Sequence, residues 1–242
     1  MDVFSILKLV FLGVNTVLVA PVIVAVAAVD EQRAYQVCQL WAHLNVWVSG
    51  ARLRVRRRAP LDSHGAYVFM SNHRSHFDVL AVIESLPEFQ LRWVAKKELT
   101  EVPVFGWALR HAGHVIIDRS DTEQAVRSLR AAREKMERGV SVVIFPEGTR
   151  APAGHALLPL KKGGFMLALE TGFPIVPIAV CGSAPVLPKG SWHVRPGDVD
   201  VVVGAPVRVT GRTREELMAQ VEAFFLEHMA AETPLDVHRE AV

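Results

Sequence analysis

The sequence predicts an α/β domain with a mixed, mostly parallel sheet flanked by helices, preceded by an N-terminal two-helix membrane-binding motif. Three observations predict it. Beyond Gly50, short apolar runs alternate with stretches of helical period. Ahead of them, the 21 residues from Leu9 to Val29 carry no charge. Three polar clusters also sit on or directly after apolar runs, where open α/β sheets place their sites. At 242 residues, half of them hydrophobic and 21% charged, the chain can build one well-cored domain with an appendage. The same figures exclude disorder and an all-membrane bundle.

The first elements in the chain are helices. A helix over Leu9–Val29 reaches roughly 30 Å, about the hydrocarbon thickness of a bilayer. Gly13, Asn15, Thr16 and Pro21 interrupt it, so a shallow or kinked helix fits as well as a straight span. From Asp30 to Gly50 the pattern changes. Val37, Leu40, Trp41, Leu44, Trp47 and Val48 share one helical face, and Gln32, Gln36, Gln39 and His43 share the other. Two tryptophans on such a face, with Arg52, Arg54, Arg56, Arg57 and Arg58 after them, fit an interfacial helix. The alternative is an ordinary helix packed on its own domain. Ala25-Val-Ala27 resembles a signal-peptide processing site, but the n-region offers only Lys8 and the apolar run continues past it. Arginines just after an anchor favour a cytoplasmic face for the domain beyond them.

Strands are expected at 52–56, 66–70, 91–95, 114–117, 140–145, 175–180, 199–203 and 207–209. Helices are expected at 77–86, stopped by Pro87, from the capping box Ser120-Asp-Thr-Glu123 to Gly139, at 161–171, and from Thr213-Arg-Glu-Glu216 to about residue 230. The domains are then residues 1–50 for the anchor, 51–232 for the α/β unit and 233–242 for a tail. Residues 1–60 carry 7 basic and 3 acidic side chains, the remainder 20 and 22. That is too small and too local an excess for a nucleic-acid partner. Cys38 and Cys181 form no metal or disulfide spacing, which points to a reducing compartment.

The first polar cluster is Ser71-Asn-His-Arg-Ser-His-Phe-Asp78. His73 and Asp78 lie across a strand-to-helix turn, a spacing that lets a carboxylate hold one imidazole nitrogen and leaves the other as a general base. A capped turn, or a metal set of His73, His76 and Asp78, are the competing readings. The second cluster is Gly113-His-Val-Ile-Ile-Asp-Arg119 and the third Phe145-Pro-Glu-Gly-Thr-Arg150. Their arginines, with Lys161-Lys162 at a helix start, suit a phosphate monoester, although either alone could be a surface ion pair. No P-loop, dinucleotide fingerprint or nucleophile elbow is present, so the base must activate a nucleophile from the substrate, such as water or an alcohol.

Asn72-His73-x4-Asp78, Gly113…Asp118-Arg119, Phe145-Pro-Glu-Gly-Thr-Arg150 and Ile175-Val-Pro-Ile-Ala179 resemble, in order, the four blocks of the glycerolipid acyltransferase family. The likeness covers about residues 60–190. The resemblance implies acyl transfer from acyl-CoA or acyl-carrier protein to a lysophosphatidate, with no further cofactor and no metal. His73 and Asp78 are then the base and its support, and Lys96 a donor to the thioester oxygen. Arg119 holds the acceptor phosphate, and Glu147, Gly148, Thr149 and Arg150, with Asn72, Ser75 and Lys162, bind substrate. A serine often comes after the third block in the family; here it is Ala151. The same blocks serve glycerol 3-phosphate and other lysolipids as acceptors. A membrane-bound thioesterase and a membrane-associated protein that binds lipid phosphates through Arg119 and Arg150 are the readings from other classes.

Overall fold

The computed structural model describes residues 3–102, 105–117, 122–152, 154–188, 190–191 and 193–229. Seven strands form one sheet: β1 (Arg52–Arg57), β2 (Val68–Ser71), β3 (Gln90–Lys96), β4 (Val115–Ile117), β5 (Val140–Ile144), β6 (Ile175–Cys181) and β7 (Asp198–Val203). Their order is β1-β7-β6-β2-β5-β3-β4. Every neighbouring pair is parallel except β6 and β7. The mixed, mostly parallel sheet is as the sequence predicts.

Strands β2 and β6 are buried along their whole length, as central strands covered on both faces must be. Period-2 alternation splits their neighbourhood into two cores. Tyr67 and Phe69 pack with Phe89, Leu91 and Val143 on the face covered by α3 (Phe77–Ser85). Val68 and Met70 turn the other way, onto Phe165 of α6 (Lys162–Thr171) and Phe225 of α8 (Arg214–Met229). The helix α8 opens with a reciprocal box: Thr213 Oγ1 accepts from Glu216 N–H at 3.3 Å, and Glu216 Oε2 accepts from Thr213 N–H at 2.8 Å. The helix α5 runs Thr122–Met136; the Ser120 end of its expected box, and the tail from residue 230, lie outside the described residues.

One expectation needs correction. The segment 207–209 forms a single bridge, Val207 to Ile175, rather than a strand; Val207 and Val209 serve as buried apolar plugs. The helix α2 (Glu31–Ser49) has the expected bounds. Asp30 accepts from the N–H groups of Gln32 and Arg33, and Gly50 closes the helix at φ +75. Ala34, Tyr35, Ala42 and Val46 are buried, whereas Leu40 and Trp47, from the face read as interfacial, are exposed. Sequence periodicity also missed the 3-10 turn at Lys97–Glu101, the helix α4 (Phe105–His111) and the short helix α7 (Ser183–Val186).

The first helix, α1 (Val3–Ala27), is long and apolar enough to cross a membrane, and only 11% of its most apolar window is buried. Pro21 lies within it without ending it. The helix packs on α2 and α4 and is tied at three points. Ser5 Oγ donates to Val194 O at 3.2 Å, Lys8 Nζ to Ser49 O at 2.9 Å, and Trp41 Nε1 to Thr16 Oγ1 at 3.1 Å. The outer row includes Phe4, Leu7, Val10, Val14 and Leu18, all exposed. The arginines of β1 are paired across the sheet edge: Arg52 and Arg54 with Asp198, and Arg54 and Arg56 with Asp200. The parallel register sets Arg52 beside Asp198 and Arg54 beside Asp200.

Candidate active site

Strands β2, β5 and β6 are neighbours and parallel, so the turns after them converge at one edge of the sheet. Asn72 closes β2 there. Its side-chain amide donates to Val180 O at 2.9 Å, and its carbonyl accepts from Val180 N–H at 2.7 Å, which imitates one more rung of the ladder. Its amide and carbonyl are thus bonded to backbone, and the side chain is buried. Ser75 is buried too: it donates to Leu187 O and accepts from Phe77 N–H. Both residues support the turn from within, where the family resemblance implies substrate contacts.

Asp78 stands in the first turn of α3, wholly buried. Its Oδ2 is 2.8 Å from His73 Nδ1 and accepts from the N–H groups of Arg74 at 2.7 Å and Ser75 at 2.8 Å. Because a carboxylate only accepts, Nδ1 carries a hydrogen toward Asp78, which in the neutral ring leaves the lone pair on Nε2. The imidazole lies on Phe145 at 3.8 Å with 9° between the planes, and Phe145 stacks on Trp93 at 5.3 Å. The third sequence cluster also grips the main chain of His73. Glu147 Oε1 accepts from His73 N–H at 2.6 Å, and His73 O accepts from Ala151 N–H at 2.8 Å. The ring is therefore fixed by a carboxylate, a stacking partner and both of its own peptide groups. No signal in the sequence shows that Phe145 is a stacking platform.

Glu147 is buried, and its Oε2 accepts from Leu158 N–H at 2.8 Å. Desolvation pushes its carboxyl up to about 7, against the pull of those two backbone bonds. Unfolded, the group titrates near 4.5, so between about 4.5 and 7 the folded chain holds a proton that the unfolded chain has lost. Stability from this group is present at the low end of that window and declines as pH rises through it. We expect the denaturation midpoint of wild type, relative to Glu147→Gln, to fall between about pH 5 and about pH 8. A difference that stays flat over that range would show the carboxyl ionised throughout.

Gly148 comes next at φ +70, and a Cβ there would lie 3.0 Å from Lys161 Cδ, so both conformation and space call for glycine. Thr149 is exposed and Arg150 half-buried; with Gly148 they line the same cavity as His73. Lys162 does not line it. That residue opens α6, and its charge helps to lower the Glu215 carboxyl at the start of α8. The expected phosphate contact from Lys162 therefore lacks support, whereas Lys161 packs against Gly148. Lys96 closes β3, at the same sheet edge as Asn72, and its side chain is not among those described. Arg119 lies outside the described residues. The metal set of His73, His76 and Asp78 is not assembled, and among the described residues no group of three His, Cys, Asp or Glu side chains could hold an ion. His76 lines the cavity and is pushed down to about 4 by desolvation, then by Arg150 and His73.

The cavity holds about 460 Å³. His73, Phe145 and Arg150 stand at one part of its wall; Thr16, Ala20 and Ile23 of α1, Ala34 and Cys38 of α2, and Leu109 of α4 form others. Thr16, an interruption of the apolar run in sequence, is the residue that binds Trp41 across this wall.

A buried carboxylate holding an imidazole on the wall of an apolar cavity, on a mostly parallel sheet, defines an O-acyltransferase class of site when set beside known proteins. The chain belongs to the Acyltransferase family, whose model matches residues 52–181. It is 34% identical over 207 residues to the 1-acyl-sn-glycerol-3-phosphate acyltransferase of Pseudomonas aeruginosa, covering 82% of this chain and 79% of that one. The Brassica napus chloroplastic enzyme of the same name is 36% identical over 141 residues, 58% of this chain; the match spans 40% of the plant protein's length. The crystal structure of the 1-acyl-sn-glycerophosphate acyltransferase from Thermotoga maritima superposes with a TM-score of 0.76 at 26% identity, over 97% of this chain and 98% of that one.

Proposed function

We propose that the chain transfers a fatty acyl group from a thioester, acyl-CoA or acyl-carrier protein, to the sn-2 hydroxyl of 1-acyl-glycerol-3-phosphate, giving phosphatidic acid. The observation that carries this reading is His73: its Nδ1 is 2.8 Å from the buried Asp78, and its ring borders the 460 Å³ cavity. The relatives' shared name supports the acceptor.

His73 Nε2 takes the hydroxyl proton while the alkoxide oxygen attacks the thioester carbonyl carbon. Asp78 stabilises the imidazolium. The tetrahedral oxyanion collapses, the C–S bond breaks, and the departing sulfur recovers the proton from the imidazolium. The acyl chain occupies the apolar cavity. We assign Arg119 and Arg150 to the acceptor phosphate, and Lys96, from its place at the end of β3, to the developing oxyanion. The exposed apolar row of α1, with Leu40 and Trp47 of α2, inserts into one leaflet. Because α1 is tied to the domain at Ser5, Lys8 and Thr16, helix and domain enter together, on the cytoplasmic side that the arginine-rich 52–58 stretch favours.

The test is thiol release from palmitoyl-CoA, and from palmitoyl-carrier protein, with and without lysophosphatidate. Release that requires the lysolipid supports transfer; release without it identifies a thioesterase, and no release with either donor removes the enzymatic assignment. Arg119→Ala should raise the acceptor KM about 10- to 100-fold, the loss of one charge-assisted bond, with little change in donor KM. Equal effects on both would remove its phosphate role.

A further inference from the structure

We propose that the floor of the cavity is a second recognition site, built on Arg92 and Tyr35, for an oxygen-bearing group at the far end of the acyl chain, such as a terminal hydroxyl. The proposal rests on the acyl-transfer reading only for what enters the cavity.

The sheet register places Arg92 opposite Val142, three residues before Phe145, so its backbone lies roughly 10 Å down the sheet from the ring that carries His73. Arg92 lines the cavity and is 2% exposed. Nη1 donates to Leu91 O at 3.0 Å and to Gln90 Oε1 at 3.4 Å. Nη2 donates to Glu31 O at 3.1 Å and lies 3.6 Å from Glu31 Oε2. The guanidinium carbon sits 5.6 Å from the centroid of the Tyr35 ring. Among the described residues, neither the remaining Nε–H of Arg92 nor the hydroxyl of Tyr35, itself 4% exposed, has a hydrogen-bond partner.

Gly113 stands close beside them. A Cβ at that position would lie 3.4 Å from Arg92 Nε, 3.1 Å from Lys135 Nζ and 3.2 Å from Glu31 Oε2. The neighbouring His114 accepts from Trp93 N–H through Nδ1 at 3.1 Å, and burial holds it down at about 3, a neutral ring on the same floor.

Buried donors are seldom left unpaired. A plain alkyl end pressed onto this floor excludes water and leaves both groups dry. A hydroxyl of the same reach accepts from Arg92 Nε–H and exchanges a bond with Tyr35. A site built to bind a hydroxyl rejects the analogue that lacks it more strongly than an apolar pocket rejects an extra methylene.

The experiment reads binding without turnover. Full-length protein in lipid nanodiscs is titrated with hexanoate, octanoate, decanoate, laurate and palmitate and with their ω-hydroxy counterparts, monitored by quenching of Trp41 and Trp93, which line the cavity. At the chain length that reaches the floor, the affinity ratio of the ω-hydroxy acid to its parent should be about tenfold higher in wild type than in Tyr35→Phe, one hydrogen bond's worth. Arg92→Met should lower the ratio as well, and shorter pairs should show no such difference. A ratio that is the same at every length and unchanged in Tyr35→Phe would overturn the proposal. Because Tyr35→Phe removes only a hydroxyl, this arm survives if Arg92→Met does not fold. Failure here leaves the thiol-release result standing, and failure there leaves this result standing.

Discussion

Replacing His73 by alanine lowers kcat by about 10²- to 10⁴-fold, the range that a positioned general base supplies. The acyl-donor KM should move little, because the ring contributes only a small part of the cavity wall. The fold should persist, since the backbone N–H and carbonyl of residue 73 remain available to Glu147 and Ala151. Single-turnover acyl transfer and the circular dichroism of His73→Ala check both halves. Activity within a few-fold of wild type would remove the base assignment.

Asp78→Asn is expected to cost a comparable factor for a different reason. An asparagine oxygen can accept from the N–H groups of Arg74 and Ser75, but if its NH₂ faces Nδ1, the imidazole must turn to the other tautomer. The proton then sits on Nε2, and the base is lost although every heavy atom stays in place. If the oxygen instead keeps the ring hydrogen on Nδ1, the imidazolium still loses its charged partner. The two cases separate in the pH profile of kcat/KM: only a base still able to titrate leaves an acidic limb. A variant as active as wild type would show that Asp78 serves the turn alone.

The sequence made the placement of His73 beside Asp78 legible because these components are local. His73 and Asp78 share one turn, so spacing alone brings them together, and the parallel central strands make the third cluster converge on the first. What stayed hidden was contact across long separations. Asn72 reads as a polar ligand until Val180, 108 residues later, takes up its amide and carbonyl. The Phe145 platform and the grip of Glu147 on His73 were equally invisible. The α2 helix shows a further limit: apolar period marked its outer face, with Leu40 and Trp47 exposed, but gave no sign that Ala34, Tyr35, Ala42 and Val46 are the buried residues. Residues 97–111, with no apolar period, gave no warning that α4 closes the cavity.

The three ties that hold α1 to the rest of the chain have a practical consequence for anyone who would trim this protein. Thr16, Ala20 and Ile23 are wall, not tether. Cutting the first helix away to obtain a soluble catalytic fragment would uncover the compartment that we assign to the fatty tail. On that assignment, solubility and turnover are coupled properties of one helix. A fragment that begins at residue 28 should show the sheet's thermal signature and little transfer, whereas exchanging the outward-facing Leu7, Val10 and Leu18 for polar residues would change where the enzyme resides before it changes what it does.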